Sequence, residues 1–428
     1  MTLSLLSRPL VFDDSLHSAS VPFVFGPEVP EQDFQSIQRR LCLDYFKWDI
    51  QVGDISTLFR QPLLISRQTW EELSTSAETL ADELMSLEQE IFERPDIHRM
   101  LGLPKQISKV FRKAGQRNFS NSASRTLRFD FHYTREGWRI SEVNSDVPGG
   151  YIEASRFTEL MASLSSTAKH AGDPARIWAD SRIFSNSEHG HVALLSAPGF
   201  LEDQQVTMFL AAQLEARGFQ THLIHHPGQL EWKSGFARIT AGKNQVNVEA
   251  IIRFYQAEWL AQLSPEYDWE WLLANGKTPV INPGSAILTE SKRLPLVFDR
   301  TQHKMTAWKR LSPRSFDPRD VDWLNDGSMV VKAAFSNTGD SVHIREFMGA
   351  DEWKKLSYLV KKRPEEWAIQ SRFDPIAIPS YVGMVCPCIG VFTIEGRAAG
   401  VYARVSTNRI TDFSAMDAAL LIDEKGNG

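Results

Sequence analysis

Between residues 66 and 93, apolar positions recur at alternating steps of three and four: Trp70, Leu73, Ala77, Leu80, Leu84, Leu87 and Ile91. That spacing predicts a helix with one buried face, read as a core stripe and not as a partner-binding zipper. Thr69 with Glu72 offers a capping box at its start, and Pro95 stands just beyond its end. From residue 191 the pattern changes. HVALLSAPG is a short apolar run, QQVTMFLAAQLEARG has helical spacing closed by Gly218, and FQTHLI is a second run. A crossover of that length makes the two strands parallel, a Rossmann-like βαβ unit. VEAIIRFY and TPVINP extend it, so residues 190–283 predict a small α/β domain. After residue 328 the pattern becomes hairpins: MVVKAAF and SVHIREF flank Ser336-Asn337-Thr338-Gly339, and GVFTI and AGVYARV flank Glu395-Gly396-Arg397. These predict antiparallel sheet.

The most informative stretch is LRFDFHYTREGWRISEVNSDVPGGYIEA, residues 127–154. Arg128, Asp130 and His132 alternate with Phe129, Phe131 and Tyr133, as in a half-buried strand. Trp138 to Asn144 can form its partner across a three-residue loop, Arg135-Glu136-Gly137, with glycine at a left-handed position. Thr134 would then pair with Trp138, Asp130 with Glu142 and Arg128 with Asn144. Like charges placed directly across a ladder repel, so a cation is expected between Asp130 and Glu142. Two carboxylates and the Asn144 amide oxygen are hard ligands suited to Mg²⁺. The competing reading is a solvated hairpin in which Arg128 pairs diagonally with Asp130.

Composition narrows the classes. The chain has 428 residues, 47 Lys+Arg and 53 Asp+Glu, a formal charge of −6. Two or three domains are expected at that length. A pI near 6.0 gives no electrostatic footprint for nucleic acid. No segment approaches a membrane span, the start lacks a signal-peptide pattern, and three cysteines suit a reducing compartment, so a cytoplasmic protein is expected. Several apparent motifs fail. The turn Ala197-Pro198-Gly199-Phe200 is no dinucleotide fingerprint, and Gly276-Lys277-Thr278 has Trp271 where a phosphate loop needs glycine. His191 and His225 are expected at opposite ends of the parallel unit, which argues against a metal cluster among His189, His191, His222, His225 and His226. Cys386 and Cys388 lack a second pair for zinc and read as buried or idle thiols.

Arg128-x-Asp130, then Glu142-x-Asn144-x-Asp146-x-Pro148 and Glu153-Ala154, resembles the metal-binding segment of the glutathionylspermidine synthase-like ligases. These are ATP-grasp enzymes in circularly permuted order. Asp44-Tyr45-Phe46-Lys47-Trp48, Arg253-Phe254-Tyr255 with Glu258-Trp259, Asn282-Pro283 followed by Lys292, Val331-Lys332 with Gly339, and Gly400 to Ser406 with Ile410-Thr411 resemble further family segments in order, over about residues 44–415. The resemblance implies a mixed α/β fold. Its parts would be a mostly helical segment (1–115), permuted ATP-grasp metal strands (116–160), a Rossmann-like pre-ATP-grasp domain (161–289) and the nucleotide-binding part (290–428).

The resemblance also implies an ADP-forming ligase that joins a small-molecule or peptide carboxylate to an amine through an acyl-phosphate, with ATP and Mg²⁺. Asp130, Glu142 and Asn144 would hold the metal. Lys292, Lys332 and Arg404 would contact the nucleotide, Gln370 would meet adenine, and residues 335–341 around Gly339 would form a flap over the phosphates. Arg128 would be catalytic, left free by a metal that satisfies Asp130. The phosphate loop is thin, with the single Gly339, and Val147 and Gly149 stand where glutathione-using members carry small hydroxyl residues. A different acid is therefore implied. A nucleotide-binding module without ligase chemistry and a phosphotransferase that uses no amine are the other classes.

Overall fold

The computed structural model describes residues 21–52, 55–115, 124–185, 190–335, 342–408, 411 and 414–424. The expected long helix is α1 (Arg67–Phe92), and Leu73, Ala77, Leu80, Leu84, Leu87 and Ile91 are buried along one face while Trp70 is half-buried. Its cap differs from the expectation. Ser66 is the N-cap, its Oγ accepting from Thr69 N–H at 3.1 Å, and Thr69 lies inside the first turn. Pro95 opens the next short helix, Pro95–Met100.

The central hairpin is β1 (Thr126–Thr134) and β2 (Gly137–Asn144). Gly137 has the expected left-handed φ of 89°. The loop is one residue shorter than expected, because Thr134 pairs with Gly137 and Tyr133 with Trp138. A register shift between Asp130 and Phe131 leaves Ser141 as an extra residue and restores Asp130 opposite Glu142 and Arg128 opposite Asn144. Strand β1 is buried on both faces, and its polar residues face a site instead of solvent.

The βαβ unit is β3 (His191–Ser196), α2 (Leu201–Glu215) and β4 (Gln220–Ile224), with the two strands parallel as expected. β5 (Asn244–Phe254) continues the parallel sheet beside β3 and pairs with the short strand Val280–Ile281. The hairpin of strands Glu231–Lys233 and Phe236–Ala241 adds an antiparallel edge to it, which the apolar pattern did not disclose. His191 Nδ1 lies 2.8 Å from His222 Nε2, and His225 contacts Ser196 at the far end of the unit, as expected for His191 and His225. Among the described residues no group of three or more His, Cys, Asp or Glu is placed to hold a metal ion.

Strands β6 (Met329–Ala333) and β7 (Trp367–Ser371) belong to a small sheet with a core of its own, Trp323, Val331, Leu356, Val360 and Ile369, under helix α3 (Ala350–Lys362). β6 pairs antiparallel with Val342–His343, as the hairpin pattern predicts. Finally β8 (Gly383–Ile394) and β9 (Arg397–Ser406) form a long hairpin through Glu395 and Gly396, whose φ values are 50° and 79°. β8 pairs antiparallel with β1, placing Gly390 opposite Asp130. The first-half hairpin and the late hairpin β8–β9 thus belong to one sheet. No described helix is long and apolar enough to cross a membrane.

Candidate functional site

Alternation along β1 and β2 sends Arg128, Asp130, Glu142 and Asn144 to the same face. The neighbouring position on β8 is Gly390. A Cβ there would lie 2.9 Å from a Tyr402 ring carbon and 3.2 Å from Arg128 Cδ. Its lack of a side chain leaves room for the Tyr402 and Arg128 side chains that pack over it. Asp130 is buried and accepts at Oδ1 from Arg128 Nε at 2.8 Å. Its Oδ2 accepts from Arg128 Nη2 at 3.1 Å, Arg404 Nη2 at 2.9 Å and Asn144 Nδ2 at 3.3 Å. Burial would raise its carboxyl pKa, but the two guanidinium groups outweigh it and hold the value down at about 2. Arg128 also donates to the Gly149 carbonyl at 2.8 Å and lies over the Tyr402 ring. The diagonal Arg128–Asp130 pair is thus formed.

Glu142 pairs with Lys292 Nζ at 3.3 Å, and Lys292 also reaches Glu290 at 3.3 Å. Burial opposes charge on Lys292, yet the two carboxylates hold its pKa above the usual lysine value. Glu290 is fixed in turn by the backbone N–H groups of Ser145 at 2.6 Å and Asp146 at 3.0 Å. Lys332 on β6 donates to the Ser141 carbonyl at 3.0 Å, and burial pushes its pKa down to about 8. Gln370 on β7 donates to Ser315 Oγ at 3.0 Å, while its Oε1 is buried without a partner. A narrow pocket of about 100 Å³ runs past Lys332 and Gln370 between Val330, Ile344 and Phe373. The structure therefore brings together every sequence-expected site residue it describes. Gly339, in the segment 336–341, lies outside the described residues.

Beside this face opens a cleft of about 720 Å³, lined by Arg128, Glu142 and Asn144 on one side and by Glu202, Asp203 and Glu258 on the other. Burial, reinforced by Glu202, raises the Asp203 carboxyl to about 7. Burial and the nearby Asp146 charge raise Glu258 to about 8. At its floor Lys47 meets Asp49 at 3.1 Å, Asp417 at 3.2 Å and Glu153. One ammonium shared among three carboxylates leaves the cleft acidic, and burial raises Asp417 to about 7. Sequence reasoning assigned none of these residues a role. Lys47, Glu153 and Glu258 fall in segments singled out by resemblance, but their partners lie far off in the chain, Asp417 being 370 positions from Lys47. Asp146, expected only as part of the motif, forms a fully buried pair with Arg253 and holds the turn after Asn144.

Among solved structures, the chain is similar to a glutathione synthetase-like effector from Globodera pallida (TM-score 0.62, 14% identity, covering 92% of this chain and 96% of that one). It also matches a protein from Methylobacillus flagellatus KT described as a gamma-glutamylcysteine synthetase (TM-score 0.40, 10% identity, 79% and 86% covered). No curated protein sequence matches the chain. The family described as glutathionylspermidine synthase preATP-grasp matches residues 46–421. With that match over most of its length and the paired hairpins of a permuted ATP-grasp sheet, the chain belongs to the glutathionylspermidine synthase family of ATP-dependent ligases.

Proposed function

We propose that this protein is an ADP-forming carboxylate–amine ligase that uses Mg-ATP and takes a cationic amine as acceptor. One observation carries the reading: Asp130 and Glu142 face each other among Lys292, Lys332 and Arg404, beside a cleft whose opposite wall is acidic. Asp130, Glu142 and Asn144 offer two carboxylates and an amide oxygen, which suits a hard cation. They fall short of a full shell, as expected for Mg²⁺ that stays with phosphate oxygens and water. The ion would supply neutralising charge on the phosphates. Lys292, Lys332 and Arg404 would contact those phosphates, Gln370 would meet the base in the narrow pocket, and Gly339 would belong to the phosphate loop.

The substrate carboxylate would attack the γ-phosphorus and expel ADP, giving an acyl-phosphate, and the amine would then displace phosphate from the acyl group. Arg128, on the cleft wall, would meet charge that develops at the reacting oxygens. Asp203 and Glu258, poised near 7 and 8, would attract an ammonium group and accept its proton as the amine attacks.

ADP release measured over a panel of acids and amines tests this directly. ADP should form only when both partners are present. Release with an acid or alcohol alone would make the protein a phosphotransferase, and nucleotide binding without any release would make it a binding module.

A further inference from the structure

The groups assigned to the metal are already engaged by cations of the chain. Asp130 carries both guanidinium groups, from Arg128 and Arg404, and Glu142 carries the Lys292 ammonium, which Glu290 shares. Three carboxylates thus face three directly paired cations, and the Lys332 ammonium adds a further positive charge near Glu142. A divalent ion arriving alone would have to strip a cation from its carboxylate and leave it buried without an anion. Phosphate groups remove that obstacle, because they offer new anions to the displaced cations at the moment the metal takes the carboxylates.

We infer that Lys292 and Arg404 are exchangeable counter-ions, which close the metal carboxylates in the absence of nucleotide and pass to phosphate when metal and nucleotide bind together. The inference rests on the ligase reading above and adds to it an obligatory coupling between the two ligands. Arg128 is not part of the exchange, since it grips both Asp130 oxygens and the Gly149 carbonyl. Its pairing keeps Asp130 compensated when Arg404 leaves. Glu290 stays as well, held by the Ser145 and Asp146 amides, and so retains a contact for Lys292 after Glu142 turns to the metal. Coupling of this kind is reciprocal: nucleotide must raise metal affinity by the factor by which metal raises nucleotide affinity.

The test is a titration of the nucleotide-free full chain with Mn²⁺, counting free hexa-aqua Mn²⁺ by electron paramagnetic resonance. Wild type should leave nearly all Mn²⁺ free at concentrations that load Lys292→Met or Arg404→Met, because the first variant removes the ammonium paired with Glu142 and the second removes one of the two guanidinium groups on Asp130. Both variants should gain about 10-fold or more in Mn²⁺ affinity and lose about 10-fold or more for a fluorescent ADP analogue with Mg²⁺, a change of opposite sign that misfolding cannot produce. Wild type that binds Mn²⁺ alone as tightly as the variants overturns the inference, as do folded variants that still ignore Mn²⁺. The wild-type arm decides even where a variant fails to fold, since tight Mn²⁺ binding without nucleotide is by itself contrary. The ligase reading fails separately, if wild type takes neither the ADP analogue nor Mg²⁺ when both are supplied.

Discussion

At the scale of residues, two opposed carboxylates on a hairpin were legible in the sequence because strand pairing is a local property. Even so, the register came out right through two errors that cancel, a loop one residue too long and an unforeseen extra residue at Ser141. The need for a cation between Asp130 and Glu142 was legible too. Which cations answer it was not, since Lys292 and Arg404 arrive from strands and turns far along the chain. The grip of Arg128 on Asp130 changes what its removal should do. With a free arginine, Mg-ATP affinity would survive the substitution. With the buried pair broken, Arg128→Ala should lose about 3 kcal/mol of stability and bind nucleotide more weakly. If Arg128 also acts on the transition state, kcat at saturating nucleotide should fall a further ~10²-fold. Chemical denaturation, ADP-analogue binding and single-turnover rates separate the two contributions, and an unchanged kcat would leave Arg128 with an organising role alone.

The acidic wall makes a second residue-scale prediction. Asp203 and Glu258 are raised to about 7 and 8, chiefly by burial. An ammonium ligand favours their ionised forms, so its binding releases protons near pH 7, and its affinity rises as pH increases through this range. For folding the sign is opposite. A carboxyl raised in the folded state stabilises the protein at low pH, and that contribution is lost as pH rises from the ordinary carboxylate value towards 7 or 8. Calorimetry of amine binding in two buffers of different ionisation enthalpy reads the proton release. Proton uptake, or an affinity flat from pH 6 to about 8.5, would remove these carboxylates from the acceptor site.

At the scale of elements, long periodic patterns were read correctly and their ends less so. The stripe of α1 and the parallel pair β3 and β4 follow from spacing alone, because each buries one repeating face. Caps depend on backbone angles that spacing does not carry. Ser66, with extended φ and ψ of −72° and 160°, accepts from Thr69 N–H, whereas Thr69 is already helical. Ser66→Ala should therefore cost about 1 kcal/mol, and Glu72→Ala, whose capping box is not formed, should stay within about 0.5 kcal/mol of wild type. Thermal melts of the two variants check this, and equal losses would restore the box. The loop after β2 gives a sharper case. Gly150 has φ 92°, and a Cβ there would lie 2.7 Å from the Tyr402 ring. Gly150→Ala should thus push Tyr402 and the Gly149 carbonyl away from Arg128, lowering stability by about 2 kcal/mol or more. Loss of nucleotide affinity in the same variant would show that this loop sets the Arg128 position.

At the scale of the molecule, the order of segments revealed the permuted sheet, and the joints between its parts stayed hidden. The clearest joint is Arg293, which sequence reasoning passed over as the neighbour of Lys292. It is buried, and its Nε donates to the Met100 carbonyl at 2.6 Å in the helical segment. Its Nη1 donates to the carbonyls of Pro364 at 3.1 Å and Trp367, and its Nη2 meets Asp317 at 2.6 Å. One side chain therefore ties the helical part to two neighbouring strands, Ser315–Phe316 and β7, of the small sheet that carries Lys332 and Gln370. The adjacent Lys292 N–H bonds the Ala334 carbonyl at 2.9 Å, so the same turn joins the partner of Glu142 to the end of β6. Arg293→Met keeps the apolar stem but removes these hydrogen bonds and one of the two guanidinium groups on Asp317, which Arg319 still holds, a loss of about 2 kcal/mol or more. Because the small sheet has its own core, the damage should be local. Amide exchange should quicken in β6 and β7 while β3 and β5 keep wild-type protection, and nucleotide affinity should fall as Lys332 and Gln370 lose their setting. Exchange that quickens evenly over the whole chain would mean that Arg293 supports general stability and does not anchor the small sheet.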